Sequence, residues 1–167
     1  MAIWILSLMQ LLVPRAPYMD SFAATAAAID KVAHEAPLYD DEDGVAKTAV
    51  ELVSVAFHES TFNPRAVGGN GTSVGLAQID LSNRKDLGLT REQLFDAETN
   101  LRAALRMMHV SHHTCRVRAR EERLANYVVG GTRCSVPEAL AASRRRMKLA
   151  ADLLRKHPVR WIETSPP

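Results

Sequence analysis

Glu59 is the residue of this chain best placed to do chemistry. It closes a run of helical spacing and is followed at once by Ser60-Thr61-Phe62-Asn63-Pro64, a polar exit that ends the helix. A little further on, Gly75-Leu76-Ala77-Gln78-Ile79-Asp80 returns a side-chain amide and a second carboxyl group. An acid at a helix end, facing a glycine-rich segment that carries an amide, suits a carboxylic acid held in a cleft to protonate a sugar leaving group. Val45, Ala49, Leu52, Val53 and Ala56 form an apolar stripe from about Gly44 to His58. Glu59 lies on or beside that stripe, so burial is expected to disfavour its charged form and keep it a proton donor near neutrality. The bland alternative is a buried acid that serves an ion pair.

Asp80 has two readings. Paired with Glu59 across a water-sized gap, it would be the base of an inverting hydrolysis. Alone, it is an ordinary helix or turn cap. His109, His112, His113 and Cys115 crowd one stretch as H-x-x-H-H-x-C, a pattern open to metal binding or to helix-end histidines facing a dipole. The second reading is the commoner, and no metal or organic cofactor is expected. Cys115 and Cys134 would close a disulfide loop in an exported protein and stay thiols in a cytosolic one.

Charge is unevenly spread. Residues 1–101 hold 7 basic and 14 acidic side chains, whereas residues 102–167 hold 14 and 5. The cationic half suits an anionic polymer or is simply a solvated helix face. Arg116, Arg118, Arg120, Arg123 and Arg144-Arg145-Arg146 spread around their helices, and aromatic residues are only 5%, too few for a base-stacking platform. Nucleic acid is therefore not an expected partner.

The elements that must position these groups are helical. With 167 residues the chain can bury one core. Met1 to Val13 is almost wholly apolar, too short to span a bilayer but of signal-peptide length, although it lacks a preceding Lys or Arg. Residues 1–19 are thus a candidate signal or anchor, or else a helix packed on the domain. An alanine-rich helix is expected over 20–36, ended by Pro37, and Asp40 to Asp43 precede the helix that carries Glu59. Gly68-Gly69-Asn70-Gly71 reads as a turn or small hairpin. Thr90-Arg91-Glu92-Gln93 reads as a capping box, and Asp96 as the cap of a longer helix with Leu101, Ala104, Leu105 and Met108 on its core stripe. A further helix is expected from about Val117 to Tyr127, ending at Gly130-Gly131. A last helix would be opened by a Ser135-Val136-Pro137-Glu138 capping box and run to His157. The fold class is mainly α with at most a small β-hairpin near the cleft. One domain is expected over 20–160, with 161–167 a tail.

Glu59-Ser60, Phe62-Asn63-Pro64, Ala66, Gly75-Leu76 and Gln78 together resemble the soluble lytic transglycosylases and their goose-type lysozyme relatives. Phe95-Asp96 with Glu98, Asn100 and Leu101 resembles the family's helix start after the cleft. Leu124-Ala125-Asn126-Tyr127 leading to Gly130 resembles its third signature. The resemblance spans about Val45 to Gly131 and implies a lysozyme-like domain that cleaves peptidoglycan glycan strands. It implies Glu59 as acid and then base, Ser60 and Gln78 as hydrogen-bond partners near the sugar, and Gly75 and Leu76 as backbone approaching the glycan. Tyr127 would be the aromatic residue near the acid, and Asp80 resembles the acid that assists water attack in the goose-type enzymes. The family's usual Asn after the tyrosine is Val128 here, and its common Met is Ala77. The signal-like N-terminus makes export to the periplasm or cell envelope the expectation, with association with a virion or secretion apparatus as the alternative. The resemblance also admits a catalytically inactive glycan-binding module.

Overall fold

A helix whose small and apolar residues reach nearly all its faces belongs in the middle of a bundle, and the stretch before Glu59 approaches that pattern, with Thr48, Glu51 and Ser54 as its buried polar groups. In the computed structural model, which describes residues 1–68, 71–81, 87–129 and 133–159, α3 (Gly44–Ser60) is buried from Ala46 to Ala56 on nearly all faces. Around it pack α1 (Ala2–Leu12), α2 (Phe22–Glu35) and α6 (Pro137–Lys156), while α4 (Ala97–Thr114) covers α2 and the short α5 (Ala125–Val129) bridges α4 and α6. The structure is 64% helical. Three two-residue strands, β1 (Val67–Gly68), β2 (Ser73–Val74) and β3 (Ile79–Asp80), form an antiparallel meander beyond the end of α3. The mainly helical expectation therefore holds, with a third strand added to the hairpin.

The apolar N-terminal segment is folded onto the domain. Ile5, Leu8 and Met9 of α1 are buried in the common core, and the Trp4 indole donates to the His157 carbonyl oxygen at 2.8 Å. No helix among the described residues is long and apolar enough to cross a membrane.

α4 begins as its sequence requires: Asp96 accepts from the Thr99 amide at 2.8 Å. The same amide, with the Thr99 hydroxyl, holds the Asp96 carboxyl below its usual range. The Thr90/Gln93 capping box makes both reciprocal bonds, at 2.8 and 3.3 Å, but opens only a 3-10 turn, Gln93–Phe95.

Two helix expectations need correction. The segment from Val117 is not one helix but a 3-10 turn, Arg120–Glu122, followed by α5. Its backbone groups are taken by side chains of the flanking helices. Ser143 accepts from the Leu124 amide and donates to the Glu121 carbonyl, and Ser111 donates to the Arg123 carbonyl. Those bonds replace the i to i−4 ladder. The last helix starts one residue later than a Ser135 cap would set it. Val136 is the N-cap with no side-chain bond, and Pro137 occupies the first turn, where its missing N–H is not needed. Gly69, Asn70, Gly130, Gly131 and the 161–167 tail lie outside the described residues.

Candidate active site

The backbone turns sharply at the end of α3. Thr61 and Phe62 both have positive φ (55° and 67°), which side chains other than glycine rarely adopt. Phe62 is held there by complete burial against Phe22 and Phe57, with ring centroids 5.6 and 5.9 Å away. Tyr18 donates to the Thr61 carbonyl at 3.0 Å, and the Asn63 side chain accepts from the Arg65 amide at 3.0 Å. The exit that presents Glu59 is thus fixed from several sides.

The wall beside this exit is the Gly75–Gln78 turn, bonded to Ser60 and Ala66, and Asn100 organises it. Fully buried on α4, Asn100 accepts from the Ala77 amide at 2.8 Å and donates to the Val74 and Leu94 carbonyls at 2.9 Å each. Gly75 has φ +79°, and a Cβ there would lie 2.2 Å from the Asn100 amide nitrogen and 2.4 Å from the Leu94 carbonyl. Only glycine fits. Ser60 ties the acid's helix to this wall by donating to the Leu76 carbonyl at 2.8 Å, and Tyr127 of α5 donates to the Ala77 carbonyl at 3.0 Å. Gln78, at φ 47°, folds its amide back onto the Gly75 carbonyl at 2.9 Å and over Gly68.

The structure therefore gathers Ser60, Gly75, Leu76, Gln78 and Tyr127 around one turn. Leu76 contributes main chain only, since its side chain lies wholly in the core. Asp80 sits in β3 opposite Ser73 of β2, half-buried, in a strand rather than at a helix or turn cap. Val128 is 37% exposed, on the outer side of α5.

Glu59 itself is not walled in by apolar groups alone. Its side chain is 21% exposed, and the Arg146 guanidinium donates from Nη2 to Oε1 at 2.7 Å. Among the described residues no group bonds Oε2. The sequence reading missed Arg146, having placed it in a charged run. A signal was present: Ala139, Ala142, Ser143, Arg146, Ala150 and Leu153 recur at helical spacing, so Arg146 falls on the buried stripe of α6.

The ligand-rich run on α4 is dispersed. His109 bonds the Ala36 carbonyl at 3.0 Å, His112 faces Glu51, and Cys115 is joined to Cys134 by a disulfide. Among the described residues no three such side chains converge on a metal-sized space.

A family model described as the transglycosylase SLT domain matches residues 42–147, from just before the acid's helix to Met147, one residue past Arg146. The chain belongs to this family. Its matched span holds α3, the meander, α4, α5 and half of α6, which carry Glu59, the Gly75–Gln78 turn, Asn100, Tyr127 and Arg146. The SLT family is of lytic-transglycosylase type and acts on peptidoglycan. No curated protein and no solved structure matches the chain. In this SLT domain α1 and the whole of α2 lie outside the match, yet they complete the core under Phe62.

Proposed function

We propose that this SLT domain cleaves the β-1,4 bond between N-acetylmuramic acid and N-acetylglucosamine, with Glu59 as its single acid and base. Glu59 gives its proton to the glycosidic oxygen as the bond to the muramyl C1 breaks, and the glucosaminyl part leaves as an alcohol. The muramyl 6-hydroxyl then attacks C1 and returns its proton to Glu59, so the product is a 1,6-anhydro sugar. No metal or organic cofactor is required by these steps. The observation that carries this reading is the state of the Glu59 carboxyl: one oxygen is anchored, the other is open, and the next residue, Ser60, is bonded to the Gly75–Gln78 turn. Ser60, Gln78 and Tyr127 hold that turn in place, while the main chain at Gly75 and Leu76 lines it.

Export to the cell envelope fits the substrate, and the Cys115–Cys134 disulfide supports it, because such bonds persist in oxidising compartments. A hydrolytic variant of the reaction would recruit Asp80 to activate water. Two observations favour a different reading, in which the fold binds glycan without cleaving it: the ion pair that occupies Glu59, and the apolar Val128 beside Tyr127.

Digestion of purified peptidoglycan by the full chain, with products read by mass spectrometry, separates the three. Anhydro-muropeptides are the expected product. Reducing-end products would instead make Asp80 the base of a lysozyme. Folded protein that retains peptidoglycan but releases nothing would establish the binding reading.

A further inference from the structure

We propose that Arg146 is the positioning residue of Glu59: it holds Oε1, commits Oε2 to proton transfer, and balances the charge Glu59 carries between the two steps. This rests on the catalytic reading above. The support is geometric. Arg146 is 8% exposed, and its main chain is pinned to the acid's own helix, because Ser54 of α3 donates to the Arg146 carbonyl at 2.8 Å. Its Nη1 donates to the Ala142 carbonyl at 3.1 Å, which fixes the guanidinium against α6, while Nη2 reaches Glu59 at 2.7 Å. The guanidinium is thus anchored at both ends before it meets the carboxyl.

A carboxyl group has two oxygens, and a guanidinium can only donate. With Oε1 accepting from Nη2, the proton of the acid form resides on Oε2, the oxygen with no partner among the described residues. When that proton leaves for the glycosidic oxygen, Glu59 becomes an anion, and the Arg146 guanidinium then faces a full negative charge instead of a neutral carboxyl. Arg146 stabilises this anion until the 6-hydroxyl proton restores the acid. A preorganised donor of this kind acts on the reaction's charge and not on ground-state glycan binding. The Arg146 Nε has no partner among the described residues, so the side chain's bonding is concentrated on the two Nη groups.

The test compares wild type, Arg146→Met, Arg146→Lys and Glu59→Gln on purified peptidoglycan, with kcat, KM and melting temperature for each. Arg146→Met is expected to lower kcat about 100-fold or more with KM within about threefold, and Arg146→Lys to regain about tenfold of the loss. A kcat for Arg146→Met within about threefold of wild type would overturn the proposal, as would a loss confined to KM. Should the methionine variant not fold, Arg146→Gln serves beside Arg146→Lys. Lysine keeps the charge and glutamine only a neutral donor, so the lysine variant must turn over faster; equal or reversed rates would overturn the proposal. An inactive wild type would instead strike down the catalytic reading, and the role of Arg146 with it.

Discussion

α3 carries two acids eight residues apart, about 12 Å along the helix axis, and they differ in burial and in the partner that holds them. Glu51 is 3% exposed. It accepts from the Tyr39 hydroxyl through Oε1, and its Oε2 faces His112 Nε2 at 3.5 Å, too long for a good hydrogen bond. Tyr39 is covered in turn by Arg120, whose guanidinium lies 4.6 Å from the ring centroid. Glu59 is open, with one oxygen anchored and one not. A cavity of about 590 Å³ borders Glu51 together with Val50, Met147, Ala150 and Leu154, and Glu59 is not among its lining residues. Burial and an adjacent cavity both belong to Glu51, so neither feature selects Glu59, the acid proposed for catalysis. Each acid has one bonded oxygen; the other is buried in Glu51 and not in Glu59, whose side chain is 21% exposed.

The comparison breaks most visibly at Asn100. Replacing it with alanine leaves the Ala77 amide and the Val74 and Leu94 carbonyls without their buried partner, at roughly 1–3 kcal/mol for each unmet group. A total loss of at least about 3 kcal/mol is expected from denaturant unfolding. Glycan cleavage per folded molecule should also fall, because the turn bonded to Ser60, next to Glu59, loosens. Stability lost without any loss of cleavage would separate the wall from the chemistry.

A smaller effect sharpens the other end. Tyr39→Phe removes the donor to Glu51 and should lower stability by about 1–2 kcal/mol with cleavage unchanged. It should also change the alkaline limb. Burial, and then the Glu51 carboxylate, push the Tyr39 phenol well above its ordinary value of 10.0. The unfolded chain ionises this tyrosine near pH 10 while the folded protein retains its proton. The stabilisation is therefore fully present below about pH 10 and is lost as pH rises beyond it. Melting temperatures from pH 8 to 11 should fall more steeply for wild type than for Tyr39→Phe. Equal slopes would mean that Tyr39 titrates freely.

Much of the cleft was legible in the sequence because it is built from local signals. Glu59 at a helix end, the glycine-rich return and the Asp96 cap are short-range patterns, and each lies where its pattern puts it. The failures share a cause, which is long-range bonding. Residues from Val117 have helical composition, but Ser111 and Ser143, from α4 and α6, take the hydrogen bonds a helix would use. Arg146 lies 87 positions from its carboxylate partner, so no local reading pairs them. Burial of the Glu59 stripe was readable; the cation beside it was not. His112 was open to a minor metal-ligand reading because its neighbours in sequence are ligand types, whereas its neighbours in space are Glu51 and Tyr39.

The most direct test sets Glu59→Gln beside Glu51→Ala, measuring peptidoglycan cleavage and unfolding free energy for both. Glu59→Gln is expected to reduce cleavage at least about 1000-fold, with stability within about 1 kcal/mol of wild type. Glu51→Ala leaves the buried Tyr39 hydroxyl without its acceptor, so it is expected to lose about 1–3 kcal/mol and keep cleavage per folded molecule. A Glu59→Gln protein that still cleaves, or a stable Glu51→Ala protein that does not, would contradict the assignment of the two acids.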